Sequence, residues 1–304
     1  MSIDEAINRA CADVGIIPPK GLAYGKWMQT DTLAGRNGKG DGRVIVNEAS
    51  VCAYNWQTGQ NATIWLNDGH STVSDRKRIA HAIQYEKEKK RERAARAASI
   101  AAQIVEQAAT SGHPYLTGKG FTAEKTLTVE ADVVRRVAGD YLVPDSGKRA
   151  IVMPARIDGR ITSLQLIWED GTKKFLASGE IGGSSHRIAK GADTWLCEGL
   201  ATGLTVRAAL KSLRVSATVL CCFSASNIAV VAKSIRTRCF IAADHDSPLE
   251  QFGGLGAGEY FARQTGIPYG MPPDVKTDFN DMHQRAGIFA VQRVLTSIMA
   301  RRRT

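Results

Sequence analysis

Two carboxylates one residue apart, Asp244-His245-Asp246, follow the apolar run Cys239-Phe240-Ile241-Ala242-Ala243. Side chains at i and i+2 of an extended segment share a face, so both acids are expected to point the same way. Paired oxygen ligands of this kind suit a hard divalent cation. A second apolar run, Thr194-Trp195-Leu196-Cys197, ends in Glu198-Gly199, and more acids follow downstream in Thr277-Asp278-Phe279-Asn280-Asp281. An isolated D-x-D is more often a turn or a helix cap, and Asn280 with Asp281 could equally cap the helix that follows. Taken together, the acid-tipped segments point to one or two divalent metals acting on a phosphate ester. Magnesium keeps several waters and uses only one or two carboxylates plus substrate phosphates.

The elements that must position these acids are legible as an alternation. Strands are expected at Thr194-Glu198, Ala217-Phe223 and Cys239-Asp244, with helices between them to about Leu213, about Arg236 and through Tyr260. Residues 267–273 and a last helix complete the pattern. Strands alternating with helices imply a parallel sheet with covered faces, and ligands of such sheets bind beyond the carboxyl ends of the strands. Gly253-Gly254-Leu255-Gly256-Ala257-Gly258 lacks the Lys-Ser/Thr ending of a phosphate-binding P-loop. It reads as a flexible connection or as a contact to a triphosphate.

Upstream, Ala150-Pro154, Ile161-Trp168 and Lys173-Ala177 form an expected meander around the turns Asp158-Gly159 and Asp170-Gly171. The first seventy residues contain short β-like pieces at Arg43-Val46, Val51-Trp56 and Ala62-Leu66, separated by turn signals such as Asn37-Gly38 and Asp68-Gly69. Between Asp75 and Ala109 there is neither Pro nor Gly, which predicts a helix about 50 Å long. Its first half is basic: Arg76, Lys77, Arg78, Lys87, Lys89, Lys90, Arg91, Arg93 and Arg96 stand against Glu86, Glu88 and Glu92. Such a run is a solvated face or a surface that follows nucleic acid, and Lys87, Lys89, Lys90, Arg91 and Arg93 are the candidates for the second role.

The 304 residues allow two domains or a catalytic core with an appendage. Forty Lys plus Arg against thirty Asp plus Glu give a net charge of +10, which favours a polyanionic partner, most commonly nucleic acid. The six cysteines form no C-x-x-C pair, so no zinc ribbon is expected. Neither a signal-peptide pattern nor an apolar run near the ~18 residues of a membrane span is present, which predicts a reduced, cytoplasmic protein without membrane partners.

Cys197-Glu198-Gly199 with Ala201-Thr202-Gly203, then Ala243-Asp244-His245-Asp246, then Asp278-Phe279-Asn280-Asp281 resemble the Toprim domain of plasmid and phage DNA primases. The resemblance extends upstream through His113-Pro114-Tyr115-Leu116, Lys119-Gly120, Ile151-Val152-Met153-Pro154, Ser163-Leu164-Gln165-Leu166-Ile167 and Asp170-Gly171-Thr172-Lys173-Lys174-Phe175-Leu176, as in conjugative-plasmid primases. It covers roughly 112–292, with a weaker echo at Tyr54-Asn55-Trp56-Gln57-Thr58-Gly59 and Trp65.

The resemblance implies that Glu198 acts as metal ligand or general base at a primer 3′ oxygen, that Asp244 and Asp246 hold magnesium or manganese, and that Asp278 and Asp281 complete a second metal position. It further implies that Lys173 and Lys174, with Gln165 and Arg156, face template or nucleotide phosphates. His113 is more readily a structural turn residue before Pro114.

The expected organisation is α/β: a small β-containing region over 1–74, a long basic helix over 75–111, a β-rich primase subdomain over 112–190 and a Toprim domain over 191–304. The expected activity is synthesis of short RNA primers on single-stranded DNA from nucleoside triphosphates. A zinc module and a helicase P-loop, common in relatives, are absent from the sequence, so a separate helicase or replication initiator is an expected partner. The alternatives are a Toprim nuclease and a non-catalytic adaptor that binds single-stranded DNA or the replisome.

Overall fold

The computed structural model of the protein describes residues 1–34, 40–66 and 73–300, the side chains of 73–76 excepted. The turns expected at Asn37-Gly38 and Asp68-Gly69 and the side chain of Arg76 lie outside the described residues. Contacts divide the chain into two units, Met1–Glu92 and Arg93–Thr304.

The first unit opens with a helix that the sequence reading did not include, α1 (Ile3–Val14). Its signal was available: Ser2 accepts the Glu5 amide while the Glu5 carboxylate accepts the Ser2 amide, a capping box four residues into the chain. Ala6, Ala10, Cys11 and Val14 of α1 pack on Val44, Val46, Val51 and Ala53. Those positions alternate along a four-stranded antiparallel sheet of β1 (Met28–Thr30), β2 (Gly42–Val46), β3 (Ser50–Asn55) and β4 (Asn61–Trp65), paired in that order. The period of two gives the sheet one covered face. Next comes α2 (Val73–Glu106), whose 34 residues span about 50 Å. The division between the units falls inside it.

In the second unit, β5 (Ala109–Ser111), α3 (Pro114–Gly118), β6 (Thr126–Glu130), α4 (Ala131–Ala138), β7 (Arg149–Ile157), β8 (Arg160–Ile167) and β9 (Lys173–Phe175) contribute an antiparallel sheet ordered β5-β6-β7-β8-β9. Asp158 (φ 48°) and Gly159 (φ 80°) both take the left-handed backbone that a tight two-residue hairpin requires. The two faces of β7 and β8 enter different cores. Val152, Leu164 and Leu166 pack with Ala97, Ala101 and Ile104 of α2 and Val134 of α4, whereas Ile151, Met153, Ala155 and Ile167 join the core of the following layer.

That layer is formed by β10 (His186–Ala189), β11 (Asp193–Cys197), α5 (Leu200–Ser212), β12 (Ala217–Cys221), α6 (Ala225–Ala232), β13 (Cys239–Ala242), α7 (Ala257–Arg263), β14 (Tyr269–Gly270) and α8 (Phe279–Met299), which is broken at Gly287. The sheet order is β10-β12-β11-β13-β14; all neighbours are parallel except β10, which runs antiparallel to β12. The fold is therefore α/β, a mixed sheet flanked by helices after a β-rich antiparallel sheet and a long helix. No helix of the described residues is long and apolar enough to cross a membrane.

Candidate active site at the carboxyl edge of the parallel sheet

β11 lies between two parallel neighbours, and Trp195, Leu196 and Cys197 are completely buried. Glu198 is the first residue past this central strand. Its carbonyl accepts the Phe223 amide at 2.9 Å and the Cys221 thiol at 2.9 Å, which ties the end of β11 to the end of β12. Phe223 takes a left-handed backbone (φ 70°), an uncommon geometry for a bulky residue, in the turn that leads into α6. Through that turn the Ala225 amide at the start of α6 reaches the Glu198 carboxylate. Burial raises the Glu198 carboxyl above the usual range, and Asp246 and then Asp278 add to this; Lys173 and the Ala225 amide oppose it.

Asp244 and Asp246 do not extend β13, which ends at Ala242; the expected strand over Cys239-Asp244 is two residues too long. Beyond Ala243 the chain leaves the sheet ladder, and His245 instead bridges to Thr277 while its Nδ1 lies 2.8 Å from the Pro272 carbonyl oxygen. The Thr202 hydroxyl, from the first turn of α5, donates to Asp244 at 3.4 Å. Burial drives the Asp244 carboxyl well above its ordinary value, reinforced by Glu198, Asp278 and Asp246 and opposed by Lys173. Asp246 accepts the Gly258 amide at 2.8 Å in the first turn of α7.

The glycine-rich run has a packing role that sequence reading missed. A Cβ on Gly258 would overlap the Asp244 carbonyl oxygen, and one on Gly256 would overlap that of Asp246. These two glycines let α7 lie directly on the backbone that carries the acids. Gly203, in the Ala201-Thr202-Gly203 segment, likewise brings α5 against Ile188 and Cys197.

Asp278 and Asp281 form the capping box of α8: Asp278 accepts the Asp281 amide at 2.8 Å, and Asp281 accepts the Asp278 amide at 3.1 Å. Asp278 nevertheless belongs to the cluster, since its charge raises Glu198, Asp244 and Tyr115. The Tyr115 hydroxyl is pushed up to about 12 by burial, then by Asp278 and Cys221. Asp281 contributes to none of these shifts. Asn280 is fully buried and donates to the Lys119 carbonyl at 2.9 Å and to the Thr205 hydroxyl at 3.2 Å, a structural tie from the start of α8 to the end of α3 and the middle of α5.

The basic candidates separate. Lys173 reaches the acids: its Nζ lies 3.9 Å from where a Gly199 Cβ would stand, and its charge counters both Glu198 and Asp244. Lys174 is on the opposite face of β9, paired with Leu166, whose side chain enters the other core. Phe175, two residues from Lys173 and so on its face, meets the Phe223 ring edge to face at 5.8 Å. Gln165 is buried opposite Phe175. Arg156 is exposed and donates to the Gly159 carbonyl at 3.3 Å, in its own hairpin.

On α2, Lys87, Lys90, Arg91 and Arg93 are exposed, and Lys89 sits over the Tyr85 ring at 4.7 Å. His113 caps α3: its Nδ1 accepts the Tyr115 amide at 3.3 Å, and Nε2 donates to the Arg149 carbonyl at 2.9 Å. That is the structural role expected for it.

The donors at the edge are all carboxylate oxygens, partly buried, mutually repelling and opposed by one lysine, a composition that a hard cation relieves. Among the described residues no group of three or more His, Cys, Asp or Glu side chains is placed to hold a metal ion. The arrangement fits a magnesium-like ion that uses one or two carboxylates and takes its remaining oxygens from water and substrate.

No protein-family model matches the chain. Among solved structures, the primase fragment of the bacteriophage T7 primase–helicase is similar at 16% identity and a TM-score of 0.36, over 50% of this chain and 65% of that one. A second similar chain comes from a structure of the T7 lagging-strand DNA polymerase with the primase domains of two gp4 subunits bound to an RNA/DNA hybrid and dTTP. There the identity is 17% and the TM-score 0.35, over 51% of this chain and 78% of that one.

Proposed function

We propose that the protein is a Toprim-type primase, joining ribonucleotides on a single-stranded DNA template by metal-dependent nucleotidyl transfer. The observation that carries this reading is the gathering of Glu198, Asp244, Asp246 and Asp278 beyond the carboxyl ends of β11 and β13, with Lys173 against them. Asp244 and Asp246 would hold magnesium or manganese, its remaining positions left to water and substrate oxygens. A bound ion there supplies charge neutralisation on the reacting phosphates and acidifies the attacking hydroxyl.

Glu198 would take the proton of an attacking 3′ hydroxyl. Its burial and its acidic neighbours raise its proton affinity towards the working range of a base, while the Ala225 amide keeps the carboxylate oriented. Lys173 supplies a positive charge at the same edge, suited to a triphosphate oxygen. Thr202 holds Asp244, and α7 buttresses Asp246. These parts position and neutralise, which is most of what phosphoryl-type transfer demands of a protein.

Purified protein with single-stranded template, labelled nucleoside triphosphates and magnesium tests the proposal. Oligoribonucleotide synthesis that Glu198→Gln lowers by at least a hundredfold supports it. Cleavage of the template without synthesis would instead identify a nuclease, and strand binding with neither reaction an adaptor.

A further inference from the structure

A cleft of about 400 Å3 lies on the α5 side of β10, and its rim carries Lys190, Arg207, Lys211 and Arg214. No carboxylate lines it among the described residues; its apolar wall comes from Leu210, Val215 and Val219. A smaller depression of about 110 Å3 adjoins it through Arg207 and adds Lys125 and Arg187. The one acid there, Glu124, is taken up by Arg207, whose guanidinium donates to it at 3.1 and 2.5 Å.

The cleft is separate from the acid edge. Lys190 precedes β11, and Arg214 precedes β12, so the larger depression lies at the amino ends of the parallel strands. β10 links the two levels of the sheet: His186 pairs with Cys221 at the carboxyl end of β12, and Ala189 with Val219 further back. Arg187 in the strand lines the smaller depression, and Lys190, just past its end and beyond a register break between Arg187 and Ala189, lines the larger.

Exposed cations gathered in one concavity repel one another, and a protein surface normally intersperses both signs to relieve this. A bound polyanion relieves it as well. A compact anion would need only one of the two depressions, whereas a chain of phosphates can occupy both, a sugar against Val215.

We propose that this cleft is a second binding site, one that holds the sugar–phosphate backbone of a single nucleic-acid strand away from the acid edge. The choice of ligand rests on the nucleic-acid reading of the acid edge.

The test is fluorescence anisotropy of a labelled thymidine oligonucleotide with the full chain, without divalent ions, across a salt series. Each phosphate contact contributes about 0.7 to the slope of log affinity against log salt for single strands. The triple variant Lys190→Ala/Lys211→Ala/Arg214→Ala is expected to bind at least tenfold more weakly, with a slope shallower by about 2. Lys211→Glu alone, an exposed single change, is expected to weaken binding in the same direction should the triple variant melt early. Lys233 is an exposed cation at the end of α6 that lines neither depression, and Lys233→Ala is expected to bind the strand as the parent does.

Unchanged affinity and slope in both cleft variants would overturn the proposal. So would loss of inorganic tripolyphosphate binding with strand binding intact, which would mark a site for free polyphosphates. Because the assay contains no nucleotide substrates, a parent protein that synthesises nothing would sink the reading of the acid edge while leaving this outcome readable.

Discussion

Thr202, one turn into α5, donates its hydroxyl to Asp244 at the end of β13 at 3.4 Å. The bond fixes one oxygen of a buried carboxyl group from a helix that belongs to a different crossover. An ordinary hydrogen bond contributes about 0.5–1.5 kcal/mol. Thr202→Val, nearly equal in volume, is therefore expected to lower synthesis by roughly two- to tenfold. Thr202→Ser should restore most of it. Equal rates for the Val variant and the parent would remove Thr202 from the site.

Asp244→Asn should separate stability from activity. A buried carboxylate facing Glu198, Asp278 and Asp246 destabilises the fold, and the amide removes that charge at constant shape. Without divalent ions its melting temperature is expected to rise by about 3 °C, roughly 1 kcal/mol for a unit of this size. Magnesium should raise the melting temperature of the parent more than that of the variant, since a ligand of the native state stabilises it. A lower melting temperature for the amide would contradict the repulsion.

Lys173 and Lys174 are neighbours in sequence with different surroundings. Lys173→Ala is expected to cost at least tenfold in synthesis, with a higher requirement for nucleoside triphosphate. Lys174 is half-buried on the face of β9 turned away from the acids, and Lys174→Ala should change the rate by less than about twofold. Steady-state rates of the two single variants decide the point; equal losses would mean that β9 presents both lysines to the substrate.

Gly258 allows α7 to rest on Asp244. Gly258→Ala forces a methyl group into a carbonyl oxygen, so α7 must shift and the Asp246 contact with it. Overpacking of this kind costs about 1–3 kcal/mol. Melting and synthesis should fall together. Gly182→Ala, where an added Cβ meets nothing within 4 Å, is the control and is expected to leave both within error.

His186 gives the fold a pH dependence. Burial lowers its pKa from 6.5 to about 4; the Pro154 carbonyl at 3.3 Å opposes this, and Arg156 adds to it. Between pH 6.5 and 4 the unfolded chain takes up the proton and the folded chain does not, so stability falls as pH falls through that window and levels off below it. The full loss is at most about 3 kcal/mol. Chemical denaturation at pH 7 and pH 4.5 should show a smaller drop for His186→Asn than for the parent. An identical drop would rule the imidazole out as its source.

How much of this was legible beforehand varied with the range of the interaction responsible. Residues 194–242 announce their strands through β-branched, aromatic and apolar runs, and the absence of Pro and Gly between 75 and 109 announces α2, because those signals act within one element. The Ser2/Glu5 capping box was equally local and went unread. β13 stops two residues before the expected end because His245 pairs with Thr277, a partner set by the loop after β14 rather than by neighbours in sequence.

The acids divide in the same way. Sequence alone determined that Glu198, Asp244, Asp246 and Asp278 follow elements of one parallel sheet, since residue type and alternation are enough to bring them to one edge. Only the tertiary structure decided that Asp281 is held in the helix cap, that Lys173 rather than Lys174 faces the acids, and that Gly256 and Gly258 serve close packing. Those outcomes depend on which face of a strand meets which core and on sub-ångström clearance between backbones. Neither is encoded in the spacing of residues along the chain.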